Sequence, residues 1–175
     1  MDFSSILGSL MGSDTIKNVG QLTGAGEKDV TSVFSSVLPS LLSGAKDQAK
    51  NESTAASFAT ALSNHGAKDS SDLSSFIGGL DLVDGDKIVS HLLGGNSSSV
   101  ANNVSAQTGV SSEKTSQIMS AAAPLLMNLL GQKAASNQSQ KPAASGITGI
   151  LGGLFDDDDD EKGGLDFGSI IKNLL

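Results

Sequence analysis

The chain is expected to be all-α: a single pseudo-symmetric helical domain built from two helix-turn-kinked-helix repeats, with a flexible acidic C-terminal tail. Three observations lead there. Apolar residues recur at helical spacing through most of the first 131 positions. Aromatics make up 3% of the chain, six Phe with no Trp or Tyr, so the core must come from Leu, Ile, Val, Ala and Met, which suits close-packed helices better than a sheet. One pattern also occurs twice without a gap at a spacing of 85, VGQLTGAGEKDVTSVFSSVLPSLLSG from Val19 and VSAQTGVSSEKTSQIMSAAAPLLMNL from Val104. Each copy of such a unit has an apolar face that it cannot bury alone.

Within the first copy, a short helix from about Ser13 to Leu22 ends at Thr23-Gly24, where glycine can adopt the left-handed conformation of a helix stop. A longer helix follows. Val30, Val33, Phe34, Val37, Leu38, Leu41 and Leu42 form one stripe along it. Glu27 and Asp29 lie in its first turn, where the helix dipole favours carboxylates, and Gly44 is read as its stop. Pro39 removes the hydrogen bond to the Ser35 carbonyl and should bend this helix; Pro124 stands in the same relation to Ser120 in the second copy. There, a short helix from about Ser97 to Gln107 meets the equivalent turn, Thr108-Gly109.

Three further helices are expected between the copies. The first runs from about Lys46 to Asn64, with Ala55, Phe58, Ala59 and Leu62 inward and Gly66 closing it. A short one after Ser71 carries Leu73, Phe76 and Ile77. The third begins at Asp84 as N-cap, carries Ile88, Val89, Leu92 and Leu93, and ends at Gly94-Gly95.

The expected organisation is an N-terminal amphipathic segment (1–13), the helical domain (14–131), a linker rich in Ala, Ser, Gln and Lys (132–145) and a Gly/Asp-rich tail (146–175). Phe3, Ile6, Leu7 and Leu10 are spaced i, i+3, i+4, i+7, and so are Phe167, Ile170, Ile171 and Leu174. DFSSILGSL at Asp2 and DFGSIIKNL at Asp166 resemble one another closely. Segments this short are not stable helices alone, but each could dock on an apolar groove.

Charge and composition exclude several function classes. The net charge is −8, and all eleven basic residues are Lys. Without Arg, the usual residue for bidentate phosphate and base-edge contacts, a nucleic-acid or anionic-membrane binder is not expected. The absence of Cys removes disulfides, thiolate metal sites and thiol nucleophiles. No run of eighteen or so apolar residues is available to span a bilayer, and no signal peptide is read. The expected location is cytoplasmic.

Candidate sites are few. Asp156, Asp157, Asp158, Asp159 and Asp160 could attract a divalent cation, but they lack the alternation, central glycine and closing Glu of a calcium loop, so a solvated charge run explains them better. Asp81, Asp84 and Asp86 form a second acidic cluster, which helix capping by Asp84 and the dipole at Asp86 explain without a metal. His91 and His65 occupy matching positions near helix ends, where the dipole favours them, with no nucleophile motif around either. There is no phosphate-binding glycine loop, HExxH or GxSxG.

LDLVDGDKIVSHLLGG followed by VANNVSAQTGVSSEKTSQIMSAAAPLLMNLLG resembles the YidB-like family of small bacterial proteins, a domain of unknown function. Asp84, Gly85, His91, Gly94, Thr108, Gly109, Ala123 and Pro124 match its Asp-Gly helix start, His-hydrophobic-hydrophobic-Gly ending, Thr-Gly turn and Ala-Pro step. The resemblance covers about residues 14–131 and implies an all-helical bacterial protein; it implies no activity, cofactor or site residue. The function expected is therefore a non-catalytic protein–protein interaction or assembly module that binds short amphipathic helices, its partner a protein or a second copy of itself. A cation-responsive protein using the acidic tail, and a hydrolase using His91 with Asp84 or Asp86, are the alternatives.

Overall fold

A computed structural model describes residues 8–67 and 73–138. Among these are seven α-helices and no strand: α1 (Ser13–Thr23), α2 (Glu27–Lys50), α3 (Ala55–Gly66), α4 (Leu73–Gly78), α5 (Leu82–Leu93), α6 (Ser97–Thr108) and α7 (Ser112–Gln138), with a 3-10 turn, Gly94–Asn96, between α5 and α6. The all-α expectation holds.

The two sequence copies build the same local order. α1 and α6 each end on a glycine with positive φ, Gly24 at 63° and Gly109 at 73°. The preceding threonine closes the turn the same way in both, Thr23 Oγ1 donating to the Val19 carbonyl and Thr108 Oγ1 to the Val104 carbonyl, each at 2.8 Å. At one position the copies solve a single problem differently. Gly20 lets the Ala25 carbonyl approach so closely that an added Cβ would lie 2.8 Å from its oxygen, whereas the equivalent Ser105 hydroxyl donates to the Val110 carbonyl at 2.6 Å.

Beyond the turn, the copies differ in depth. α2 buries the whole expected stripe, Val30 to Leu42, with Glu27 and Asp29 in its first turn, while Ser36 and Ser40 are half-buried and Ser43 and Pro39 exposed. In α7 every residue from Ile118 to Asn128 is buried, Pro124 included. Ala121, Leu125 and Asn128 replace the three serines. This second copy is therefore apolar all round, the pattern of a helix enclosed by others rather than lying on a surface. It packs against α1, α2, α3, α5 and α6.

Three expected boundaries are corrected. Gly44 is not a stop; it lies inside α2, buried where α5 crosses, and a Cβ there would stand 2.3 Å from the Leu92 carbonyl oxygen. The helix expected over 46–64 is two helices, because α2 continues to Lys50 and Asn51 then turns the chain, its Oδ1 accepting from the Ser53 amide (3.0 Å) and hydroxyl (2.7 Å). Such Asx turns compete with helix continuation. The inward set Ala55, Phe58, Ala59 and Leu62 is buried as expected. The N-cap of α5 is Asp81, whose Oδ1 accepts from the Val83 amide at 2.8 Å; Asp84 sits exposed in the first turn instead. Both prolines lie within unbroken helices.

The helical fold also takes in residues on either side of 14–131. Leu10 is 2% exposed and belongs to the core. α7 continues to Gln138, through the first part of the stretch read as a linker, and buries Ala134. The remainder of the expected linker and the Gly/Asp-rich tail lie outside the described residues.

Exchanging equivalent residues between the copies tests the difference in depth. Leu125→Ser should lower the unfolding free energy in urea by about 3–5 kcal/mol, through lost burial, the cavity left and a buried hydroxyl. Ser40→Leu on the outer helix should stay within about 1 kcal/mol of wild type.

Candidate functional site

The residues singled out by sequence gather at helix crossings. At the α5–α7 crossing, Pro124 lacks an amide hydrogen, so the Ser120 carbonyl loses its partner from within the helix. Gly85 is set against that carbonyl. A Cβ on Gly85 would come 1.9 Å from the Ser120 oxygen and 2.7 Å from its carbon, so only glycine permits the approach. Asp81 places this glycine, since its carboxylate caps α5 and its carbonyl accepts from the Gly85 amide at 2.9 Å. The Asp-Gly start of α5 and the Ala-Pro step of α7 are thus two sides of one contact.

Two more crossings share a second device. Where α3 meets α7, a Cβ on Gly131 would lie 2.1 Å from the Leu62 oxygen, and one on Gly66 would lie 2.6 Å from the Gly131 carbonyl carbon. Beside them the buried Asn128 donates its Nδ2 to the His65 carbonyl at 2.6 Å, and its Oδ1 accepts from Gln132 Nε2 at 3.1 Å. Where α2 meets α5, Gly44 abuts the Leu92 carbonyl and Gln48 Nε2 donates to the His91 carbonyl at 2.8 Å. The last carbonyls of a helix have no partner within it. α3 and α5 each have one satisfied by a side-chain amide from the helix that crosses them. His65 and His91 both lie in the last turn of their helices, and the main-chain carbonyl of each takes part in the crossing.

The His91 ring is exposed on the outer face of α5, as are Asp84 and Asp86. Among the described residues, no group of three or more His, Cys, Asp or Glu is placed to hold a metal ion. Thr108 and Gly109 form the α6–α7 turn described above, Pro39 lies exposed on α2, and Pro124 is buried at the α5–α7 crossing. Of the docking segments, only Leu10 can be placed. Phe3, Ile6, Leu7, Phe167, Ile170, Ile171 and Leu174 lie outside the described residues, as do Asp156 to Asp160. The sequence reading missed Gly44, Gln48, Asn128 and Gly131 as crossing residues; their signal was a glycine three or four positions from a carboxamide on an apolar helix.

These features define a small all-helical domain in which glycine contacts draw surrounding helices onto one enclosed helix. The chain belongs to DUF937, a family of bacterial proteins of unknown function whose model matches residues 5–133, in agreement with the YidB-like resemblance. No curated protein and no solved structure matches the chain. No described helix is long and apolar enough to cross a membrane.

Gly85→Ala should destabilise the domain by about 2 kcal/mol or more in chemical denaturation, because the clash is with backbone rather than with a side chain that can move. His91→Ala should change stability by no more than about 0.5 kcal/mol.

Proposed function

We propose that the chain is a non-catalytic interaction and assembly module whose helical domain accepts short amphipathic helices, its own N-terminal segment among them. The observation that supports this reading is the burial of Leu10, the last apolar position of the Phe3, Ile6, Leu7, Leu10 pattern. Residues 8–10 are helical, and Gly8 and Ser9 are exposed while Leu10 faces the core. A tight turn leads from there into α1, the Ser9 carbonyl accepting from Thr15 Oγ1 at 2.7 Å. An amphipathic helix presenting a residue every three or four positions to an apolar groove is a recurrent mode of peptide recognition. The conspicuous polar residues have structural partners, which is consistent with the same reading: Asp81 caps α5, while Gln48 and Asn128 bridge neighbouring helices.

A labelled peptide of residues 1–12, titrated into the full-length chain carrying Leu10→Asp, should give saturable fluorescence anisotropy with a Kd of about 1–100 μM, the range for a few buried apolar side chains after the cost of association. Anisotropy that stays flat into the millimolar range would overturn the reading.

A further inference from the structure

The C-terminal segment is built to the same pattern as the N-terminal one. Over nine positions Asp2/Asp166, Phe3/Phe167, Ser5/Ser169, Ile6/Ile170 and Leu10/Leu174 are identical, and Leu7 is matched by Ile171. The part of the N-terminal segment that can be placed shows what its seat demands. Positions 8 and 9 are exposed and position 10 is buried. The C-terminal copy offers Lys172, Asn173 and Leu174 there, two polar residues and the same leucine. A Cβ on Gly8 would meet nothing within 4 Å, so the lysine stem at the equivalent position has room. Lysine also favours helix over glycine by roughly 1 kcal/mol.

We propose that residues 166–174 compete intramolecularly with residues 2–10 for one seat on the helical domain, so that the chain exists in two exclusive states, N-terminal segment docked or C-terminal segment docked. This rests on the docking reading above and adds its occupant. Reach is no obstacle. A flexible chain with as many residues as lie between 138 and 167 would span about 30 Å, comparable with the diameter of a domain of this size, and a tether of that length would sustain an effective concentration on the millimolar scale. The N-terminal segment has the advantage of direct continuity with α1, and the C-terminal one the better helix formers around its leucine.

Hydrogen exchange read by mass spectrometry on the full-length chain tests this. If the two segments hold the seat about equally, removing one should roughly double the occupancy of the other. Ile170→Asp with Ile171→Asp, which alters no described residue, should then slow exchange over residues 2–11 by at least twofold. Leu10→Asp should do the same over residues 167–174 with the monomer mass unchanged in light scattering, and excess peptide 166–175 added to wild type should hasten exchange over residues 2–11. If residues 2–11 are protected in wild type but indifferent to both the C-terminal substitutions and the peptide, the docking reading stands and the competition is wrong. If neither segment is protected in any chain, the docking reading itself falls. Protection of residues 167–174 that appears only with a dimer mass overturns the intramolecular assignment.

Discussion

Complete enclosure of one helix is the constraint on which the rest of this fold depends. From Ile118 to Asn128, α7 offers no face to solvent. Every neighbour must therefore approach it closely, and the approach is closest where two backbones touch. Gly85 on Ser120 and Gly66 on Gly131 are such points. Side chains larger than hydrogen would hold the helices apart, and the dense interior of Val, Leu, Ala and Met would open into voids. Because aromatics are so scarce, there is little bulk with which to refill such gaps.

Close crossing brings helix ends into the interior, and with them main-chain carbonyls that have no partner within their own helix. The fold meets this need with carboxamides. Asn128 and Gln48 each reach from one helix to a terminal carbonyl of another, and the buried Asn128 is itself held by Gln132. At Ser120, where Pro124 removes the helical donor, the carbonyl lies so close to Gly85 that any Cβ there would clash with it. Unpartnered polar groups in a core are costly, and in each of these places a particular residue type is required. The same requirement explains why an Asp-Gly, an Ala-Pro and a carboxamide stand out in a chain otherwise made of interchangeable small apolar residues.

Much of this architecture was legible in the sequence. The stripe Val30 to Leu42, the inward set on α3 and the left-handed Gly24 and Gly109 all lie where periodicity and turn chemistry put them. What escaped were the long-range roles. Gly44 resembled a helix stop because glycine weakens a helix by its own propensity, and only the crossing by α5 shows why it is tolerated mid-helix. Asn51 was passed over because the apolar rhythm on either side continued in phase. The most instructive miss is the central position of α7. Alignment of the copies directs attention to what they share, whereas the enclosure of the second is written in what they do not, in Ala121, Leu125 and Asn128 against Ser36, Ser40 and Ser43. At the candidate site the sequence singles out Asp84, Gly85 and His91, but the capping role belongs to Asp81, and His91 contributes a main-chain atom.

The position of the enclosed helix in the chain also bears on biosynthesis. α7 is the last of the described helices to leave the ribosome, yet it is the surface on which α1, α2, α3, α5 and α6 bury their apolar sides. Until it emerges, those helices have only one another to pack against, and all of them except the 24-residue α2 are short enough to hold little structure by themselves. The part of each apolar stripe that faces α7 has no cover until α7 is made, a condition in which partly made chains are prone to association. Folding of this domain is in that sense a late event, gathered around the final helix.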